Sequence, residues 1–307
     1  MIRVAIYGSG AMARLWASLI QSRPDMALVA VASPSRLHAE RLALELGVDF
    51  YPSLTPLLEQ AFDILLVCTL PADHHLSTKQ ALLAGKDVFV EKPLCLSLDQ
   101  VSELRSIAVS QQRWLDVSYS LRYFSPFAQL LSLAEKGVLG RVQHLAWQRS
   151  EDLSMGWRGQ RAFSGGYWFE VGWHELDLSL QLLAYSGYSM SEIAMFCSDW
   201  QLDQQSLFLQ HDQQMLVSYL AGRSPPVRFG FRLQFTNLTL CSEQGFSASG
   251  LRILQAEPSL VEQFKYWQQD PYAAQLSQVI SSWQKRESTV SMGHTLALSS
   301  LLASIPY

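Results

Sequence analysis

Through the first third of the chain, short apolar runs alternate with longer segments whose apolar residues recur at helical spacing. Residues 3–7, 27–32, 64–68, 88–90 and 114–119 are rich in β-branched and aromatic side chains and read as strands. Residues 11–21, 37–46, 75–83 and 97–111 between them read as helices. Strands alternating with helices at this spacing predict βαβ units and a parallel sheet. Beyond residue 120 the pattern changes. Residues 126–136 predict a helix closed by Gly137. In "VRFGFRLQF", Val227, Phe229, Phe231, Leu233 and Phe235 alternate with Arg228, Gly230, Arg232 and Gln234, as in a sheet with one buried face. "SLFLQHDQQMLVSYL" predicts a hairpin, and the chain from Tyr272 onward predicts mostly helix. Two domains follow, an α/β domain over residues 1–120 and an α+β domain over residues 121–307.

Composition agrees with two packed domains: of 307 residues, 49% are apolar and 16% charged. The formal net charge is -4 and no long basic run occurs, which argues against a nucleic-acid partner. No apolar run approaches the length of a membrane span. The start, "MIRVAIYGSG", is a strand entering a glycine turn and lacks the apolar core of a signal peptide. Cys68, Cys95, Cys197 and Cys241 are scattered, with no C-x-x-C spacing, so the expectation is a cytoplasmic protein with reduced thiols.

Three stretches carry candidate chemistry. The first is Gly8-Ser9-Gly10-Ala11-Met12-Ala13, a G-x-G-x-x-A turn directly after a strand and opening a helix. Glycines at these positions let the backbone of Gly8, Gly10, Ala11 and Met12 approach a pyrophosphate at a helix N-terminus. NAD-selective turns carry an acid about 20 residues on. Here the tip of the second strand holds Ser33, Ser35 and Arg36 and no acid. These groups suit a 2′-phosphate, so NADP(H) is expected in preference to NAD(H), with NAD(H) still possible.

The second stretch is "AGKDVFVEKP". A buried strand ends in Glu91, Lys92 and Pro93, at the carboxyl edge where parallel sheets bind ligands. The third is "FSGGYWFEVGWHELDLSLQLL". Glu170, His174 and Asp177 fall at helical spacing on one side, and Gly172 within the helix implies that something approaches closely. An imidazole beside a carboxylate suits general acid/base work; a polar helix edge is the plain alternative. A metal site is not expected, because no cysteine or second histidine lies near this trio. Trp147, Trp157, Trp168 and Trp173 suit a sugar ring or a planar ligand, and nearby Arg122 and Arg158, with Tyr123, suit carboxylates or phosphates; core or interface packing is the plain alternative.

With these pieces in order, the chain resembles the glucose-fructose oxidoreductase / inositol dehydrogenase / rhizopine-catabolism (Gfo/Idh/MocA) family. The likeness rests on Gly8-x-Gly10-x-x-Ala13, on Thr69 and His74, and on "AGKDVFVEKP" against the family's "AGKHVxxEKP". It continues through Arg122, Pro126, Gly137 and Gly140, and through Gly165-Gly166, Glu170, Gly172, His174 and Asp177. The resemblance implies a Rossmann domain followed by an open, mostly antiparallel sheet domain that commonly builds homodimers or homotetramers. It implies hydride transfer between nicotinamide and a hydroxyl or carbonyl of a sugar, polyol or related small molecule. Thr69, His74, Glu91 and Lys92 would then flank the cofactor, Lys92 would face the reacting oxygen, and His174 would exchange its proton. Asp177, Arg122, Tyr123, Trp157 and Arg158 are expected on the substrate side. Two departures stand out: Glu170 where aspartate is usual, and Ser164 for the first glycine of its run. Two other readings remain: a catalytically silent nucleotide-binding regulator of the same fold, and a reductase of an imine or a linear tetrapyrrole.

Overall fold

A computed structural model describes residues 1–200, 204–223, 228–243, 250–256, 258–264 and 270–305. The chain divides into two units. The first comprises Met1–Ser118, Arg161–Gly165 and Tyr272–Ser299; the second comprises Tyr119–Gln160, Gly166–Pro271 and the residues from Ser300 on.

The first unit opens with β1 (Ile2–Tyr7), α1 (Ala11–Gln21), β2 (Met26–Ala32), α2 (Arg36–Leu46), β3 (Asp49–Tyr51) and α3 (Leu54–Leu58). It continues with β4 (Ile64–Val67), α4 (Pro71–Leu83), β5 (Asp87–Val90), α5 (Leu98–Ser110) and β6 (Leu115–Val117). The strands form a six-stranded sheet in the order β3-β2-β1-β4-β5-β6, and every pairing is parallel. Every residue of β4 and β5 is buried, as continuous apolar runs covered on both faces must be. The strand order reverses between β1 and β4, where open α/β sheets bind ligands. Two elements escape the sequence pattern. β3 is a three-residue edge strand, and α3, "LTPLL", is a single turn that holds a proline. α4 begins at Pro71, a residue preorganised for a first helical turn, so His74 and His75 lie inside it.

The second unit carries α6 (Phe127–Glu135) and β7 (Val142–Ser150). α7 (Arg161–Ser164) belongs to the first unit and packs on α4. The second unit resumes with α8 (Trp173–Tyr185), β8 (Ala194–Cys197), β9 (Gln204–His211), β10 (Gln214–Gly222), β11 (Arg228–Phe235), β12 (Leu238–Ser242), β13 (Leu251–Ala256) and α9 (Pro258–Glu262). Among the described residues its sheet has seven strands, in the order β13-β12-β11-β7-β10-β9-β8. All neighbours run antiparallel except β7 and β10, which are parallel. The expected hairpin is β9–β10. Its two turn residues, Asp212 and Gln213, take φ of 45° and 66°, the conformation whose twist matches flanking strands. In β11, Phe231, Leu233 and Phe235 are buried while Arg228 and Arg232 are exposed; Val227 lies outside the described residues. Phe127, Trp147 and Phe231 meet at ring distances of 5.3–5.8 Å on the buried face.

The chain ends in α10 (Pro271–Lys285) and α11 (Met292–Ala303). Here the two-block division at residue 120 needs correction, because residues 272–299 belong to the first unit. The reason is an apolar stripe. Leu276, Val279 and Ile280 of α10 join the core of Ile6, Trp16, Ile20 and Phe89. Trp16 packs edge-on against Phe89 and Tyr272, at 5.5 and 5.8 Å. Among the described residues no helix is long and apolar enough to cross a membrane.

Candidate functional site

At the switch point of the first sheet, Gly8 has φ of +135° and lies against the end of β4. A Cβ there would collide with the Cys68 carbonyl oxygen, so only glycine lets the ends of β1 and β4 come this close. Gly10 is different: a Cβ there would meet nothing. It is the N-cap of α1 and provides no side-chain cap, and Gly10 and Ala11 are exposed while Met12 is half-buried. The first turn of α1 therefore lacks a capping side chain, as an anion-binding helix end requires. Thr69, just past β4, has a buried hydroxyl with no hydrogen-bond partner. A buried unsatisfied hydroxyl costs free energy until a partner arrives. An open helix end and an orphaned hydroxyl at one switch point fit a dinucleotide.

At the tip of β2, the Ser33 hydroxyl turns inward. It lies 3.0 Å from Ser9 Oγ and accepts from the Ser35 amide at 3.2 Å. Ser35 caps α2 without a side-chain bond, and Arg36 is exposed, its guanidinium 6.0 Å from the Phe50 ring centre. Of the expected phosphate-binding trio, Arg36 is exposed, Ser35 is half-buried and Ser33 braces the glycine turn.

The end of β5 is built to hold Lys92. From Asp87 to Cys95 every residue is buried except Lys92. Glu91 accepts from the Trp16 indole at 2.7 Å and from the Lys92 amide at 3.2 Å. Burial raises the Glu91 carboxyl above its ordinary range; the bonds from Trp16, Lys92 and Ser118 oppose that rise. His74 braces the other side. Its Nδ1 lies 2.7 Å from the Pro93 carbonyl and its Nε2 3.1 Å from the Thr69 carbonyl. Burial lowers the His74 pKa, and the two carbonyls oppose the shift. His74 thus sits between the Pro93 carbonyl, one residue after Lys92, and the Thr69 carbonyl, two residues past β4, and its neutral ring can donate to one of them at a time.

In the second unit, Glu170 and His174 straddle a change of helix. Trp168–Gly172 form one π-helical turn, and α8 follows from Trp173. Such turns often mark functional sites. Gly165 and Gly166, at φ of +78° and +91°, lead the chain into it. The close approach expected at Gly172 is made by the chain itself: a Cβ there would strike the Trp168 ring. From Tyr167 to Leu180 every residue is buried except His174. Glu170 accepts from Arg158 Nε at 2.9 Å.

Arg122 and Asp177 occupy each other. Arg122 Nε and Nη2 donate to the two Asp177 oxygens at 2.8 and 2.6 Å, and Nη1 donates to Gln181 at 3.0 Å. Burial lowers the Arg122 pKa, Asp177 raises it, and the net direction is up. Trp147, Trp168 and Trp173 are core residues at 3%, 0% and 0% exposure, whereas Trp157 and Tyr123 are partly exposed. Two participants went unread in the sequence. Trp16 looks like an ordinary apolar helix position. Arg149, an alternating strand residue, donates to fully buried Glu175 at 2.7 Å. Neither pairing leaves a local signal, because each joins residues far apart in the chain.

Residues 2–119 match the GFO_IDH_MocA family model, described as an oxidoreductase family with an NAD-binding Rossmann fold. An oxidoreductase of Escherichia coli named YdgJ is 28% identical over 194 residues, 59% of this chain and 53% of that one. A protein of Amycolatopsis mediterranei named as the oxidoreductase subunit of a UDP-kanosamine synthase is 29% identical over 195 residues, 61% of this chain and 53% of that one. The chain thus spans about half the length of the curated relatives it matches. GenD2 from gentamicin A biosynthesis, solved in complex with NAD, shares the fold with a TM-score of 0.81 over 99% of this chain and 93% of that one, at 20% identity.

Proposed function

We propose that this chain, whose residues 2–119 match the Gfo/Idh/MocA oxidoreductase family model, is an NADP(H)-dependent oxidoreductase acting on a hydroxyl or carbonyl of a sugar, polyol or related small molecule. One observation carries the reading. Lys92 surfaces from the buried run Asp87–Cys95 and His174 from the buried run Tyr167–Leu180. Flanking an ionisable group with buried residues on both sides is a construction for holding it in a fixed direction, as proton chemistry demands.

When bound, the nicotinamide supplies or accepts the hydride. The open end of α1 and the Thr69 hydroxyl would hold the dinucleotide, and Ser35 and Arg36 would meet a 2′-phosphate. Lys92 Nζ steadies negative charge growing on the substrate oxygen. His174 is the proton donor or acceptor. Glu91 and His74 fix the backbone on either side of Lys92 and take no proton themselves. Arg36 and the absence of an acid in Ser33–Pro34–Ser35–Arg36 support NADP(H) over NAD(H).

Fluorescence titration with NADPH and NADH tests the cofactor, and a panel of sugars and polyols tests turnover. The expected results are NADPH bound at least about tenfold more tightly than NADH, the worth of one charge-assisted hydrogen bond. Lys92→Met and His174→Gln should each lower turnover by about a hundredfold or more while leaving NADPH binding intact. Full activity in both variants would overturn the assignment, and equal or tighter NADH binding would overturn the NADP preference.

A further inference from the structure

Glu170 is one methylene longer than the aspartate usual at its position, and the second unit shows what the added length reaches. Arg158 Nε donates to Glu170 Oε1 at 2.9 Å, while its Nη1 lies 3.7 Å from Glu151 Oε1. Glu151 Oε2 receives two longer bonds from Arg149, both 3.4 Å, and Arg149 Nη1 donates to Glu175 at 2.7 Å. Five charges of alternating sign therefore run from fully buried Glu175 out to Glu170. The turn that presents Arg158 is itself constrained. Gly156 has φ of +65°, and a Cβ on Gly159 would lie 2.6 Å from the Leu153 carbonyl oxygen. An aspartate at position 170 would withdraw the carboxylate by roughly 1.5 Å, one carbon–carbon bond, and lose contact with Arg158.

We propose that Arg158 is a positioning residue, matched to the longer Glu170, that fixes the carboxylate one helical turn before His174. The inference rests on the reading of His174 given above. A guanidinium suits the task because its planar fork meets two carboxylates along different edges, whereas an ammonium is a single point of charge. With its edges turned to Glu170 and Glu151, Arg158 orders its own unit and does not serve as the anchor for a substrate phosphate or carboxylate.

The experiment measures steady-state turnover on the sugar and polyol panel for the wild type, Arg158→Ala, Arg158→Lys, Glu170→Asp and the double variant Arg158→Ala/Glu170→Asp, with NADPH affinity and thermal midpoint alongside. Arg158→Ala should lower kcat about 10- to 100-fold, the effect of misplacing a group by about 1 Å, with little change in KM. Arg158→Lys should lie between it and the wild type. Millimolar guanidinium chloride should restore part of the Arg158→Ala activity and leave Arg158→Lys unchanged. Glu170→Asp should fall as far, and the double variant no further, because both changes break one contact. NADPH affinity should stay within about twofold throughout, since the pair lies in the other unit. Wild-type kcat in Arg158→Ala, a rise confined to KM, or a fall that guanidinium does not relieve and the thermal midpoint follows would each overturn the inference alone. A wild type that binds NADPH but turns over nothing on the panel would overturn the functional reading and this inference with it.

Discussion

Trp16, fully buried, gives its indole N–H to a carboxylate 75 residues further along, and the consequence is a stability test. Trp16→Phe keeps most of the ring but leaves Glu91 short of a donor. It should cost about 1–3 kcal/mol in urea unfolding, more than the lost area of a pyrrole ring alone explains. His74 gives a pH test. Burial holds its folded pKa below the ordinary 6.5, so as pH falls through 6.5 the unfolded chain takes up a proton that the folded ring refuses. The stability this contributes is present above 6.5 and is lost as pH drops toward the folded pKa. The thermal midpoint of the wild type should therefore fall more steeply than that of His74→Gln between about pH 7 and pH 5. At this scale the sequence was legible at Gly8, whose close approach to the Cys68 carbonyl admits no side chain, and in the buried strand that ends beside Lys92. The close approach at Gly172 was legible too, but not its partner, because a helical period of 3.6 does not foretell a π-helical turn that brings Trp168 onto it.

Among the elements, β5 and α10 are joined by Asp87. It accepts from the Trp114 amide and the Trp283 indole, both at 2.8 Å, and pairs with Arg286. Asp87 stands where the resembling motif "AGKHV" has histidine, and the difference has this physical content: a buried carboxylate that clamps the helix returning from the end of the chain. Asp87→Ala should lower unfolding stability by about 3 kcal/mol, and hydrogen exchange should rise first in α10. Gly172→Ala should cost about 2 kcal/mol by forcing the Trp168 ring away, and near-ultraviolet circular dichroism of the tryptophans should report it. The elements that were legible are those with a full period on display: β4, β5, α1 and the β9–β10 hairpin. β3 and α3 are too short to show one, and α4 starts earlier than its apolar spacing because Pro71 supplies the start.

For the whole molecule, the sequence pattern distinguished two kinds of architecture but not which unit owns each segment. The apolar stripe of α10 fits any core; that it completes the core around Trp16 and Phe89 depends on contacts across more than 180 residues. A fragment of residues 1–118 should accordingly expose the surface that Leu276, Val279 and Ile280 cover. It should bind a hydrophobic dye and unfold without cooperativity. A fragment joining 1–118 to 272–299 through a flexible linker should regain a single sharp transition.

The divided first unit also sets a timetable. Ser118 leaves the ribosome long before Lys285, where α10 ends, and the 167 residues from 119 to 285 (285 − 118) take roughly 8–33 s to synthesise. Through that interval the parallel sheet exists without the helix that seals it, so the first sequence made is the last to be secured. A nascent chain arrested after residue 165 should remain open to protease across its N-terminal third, and protection should come only once α10 has emerged.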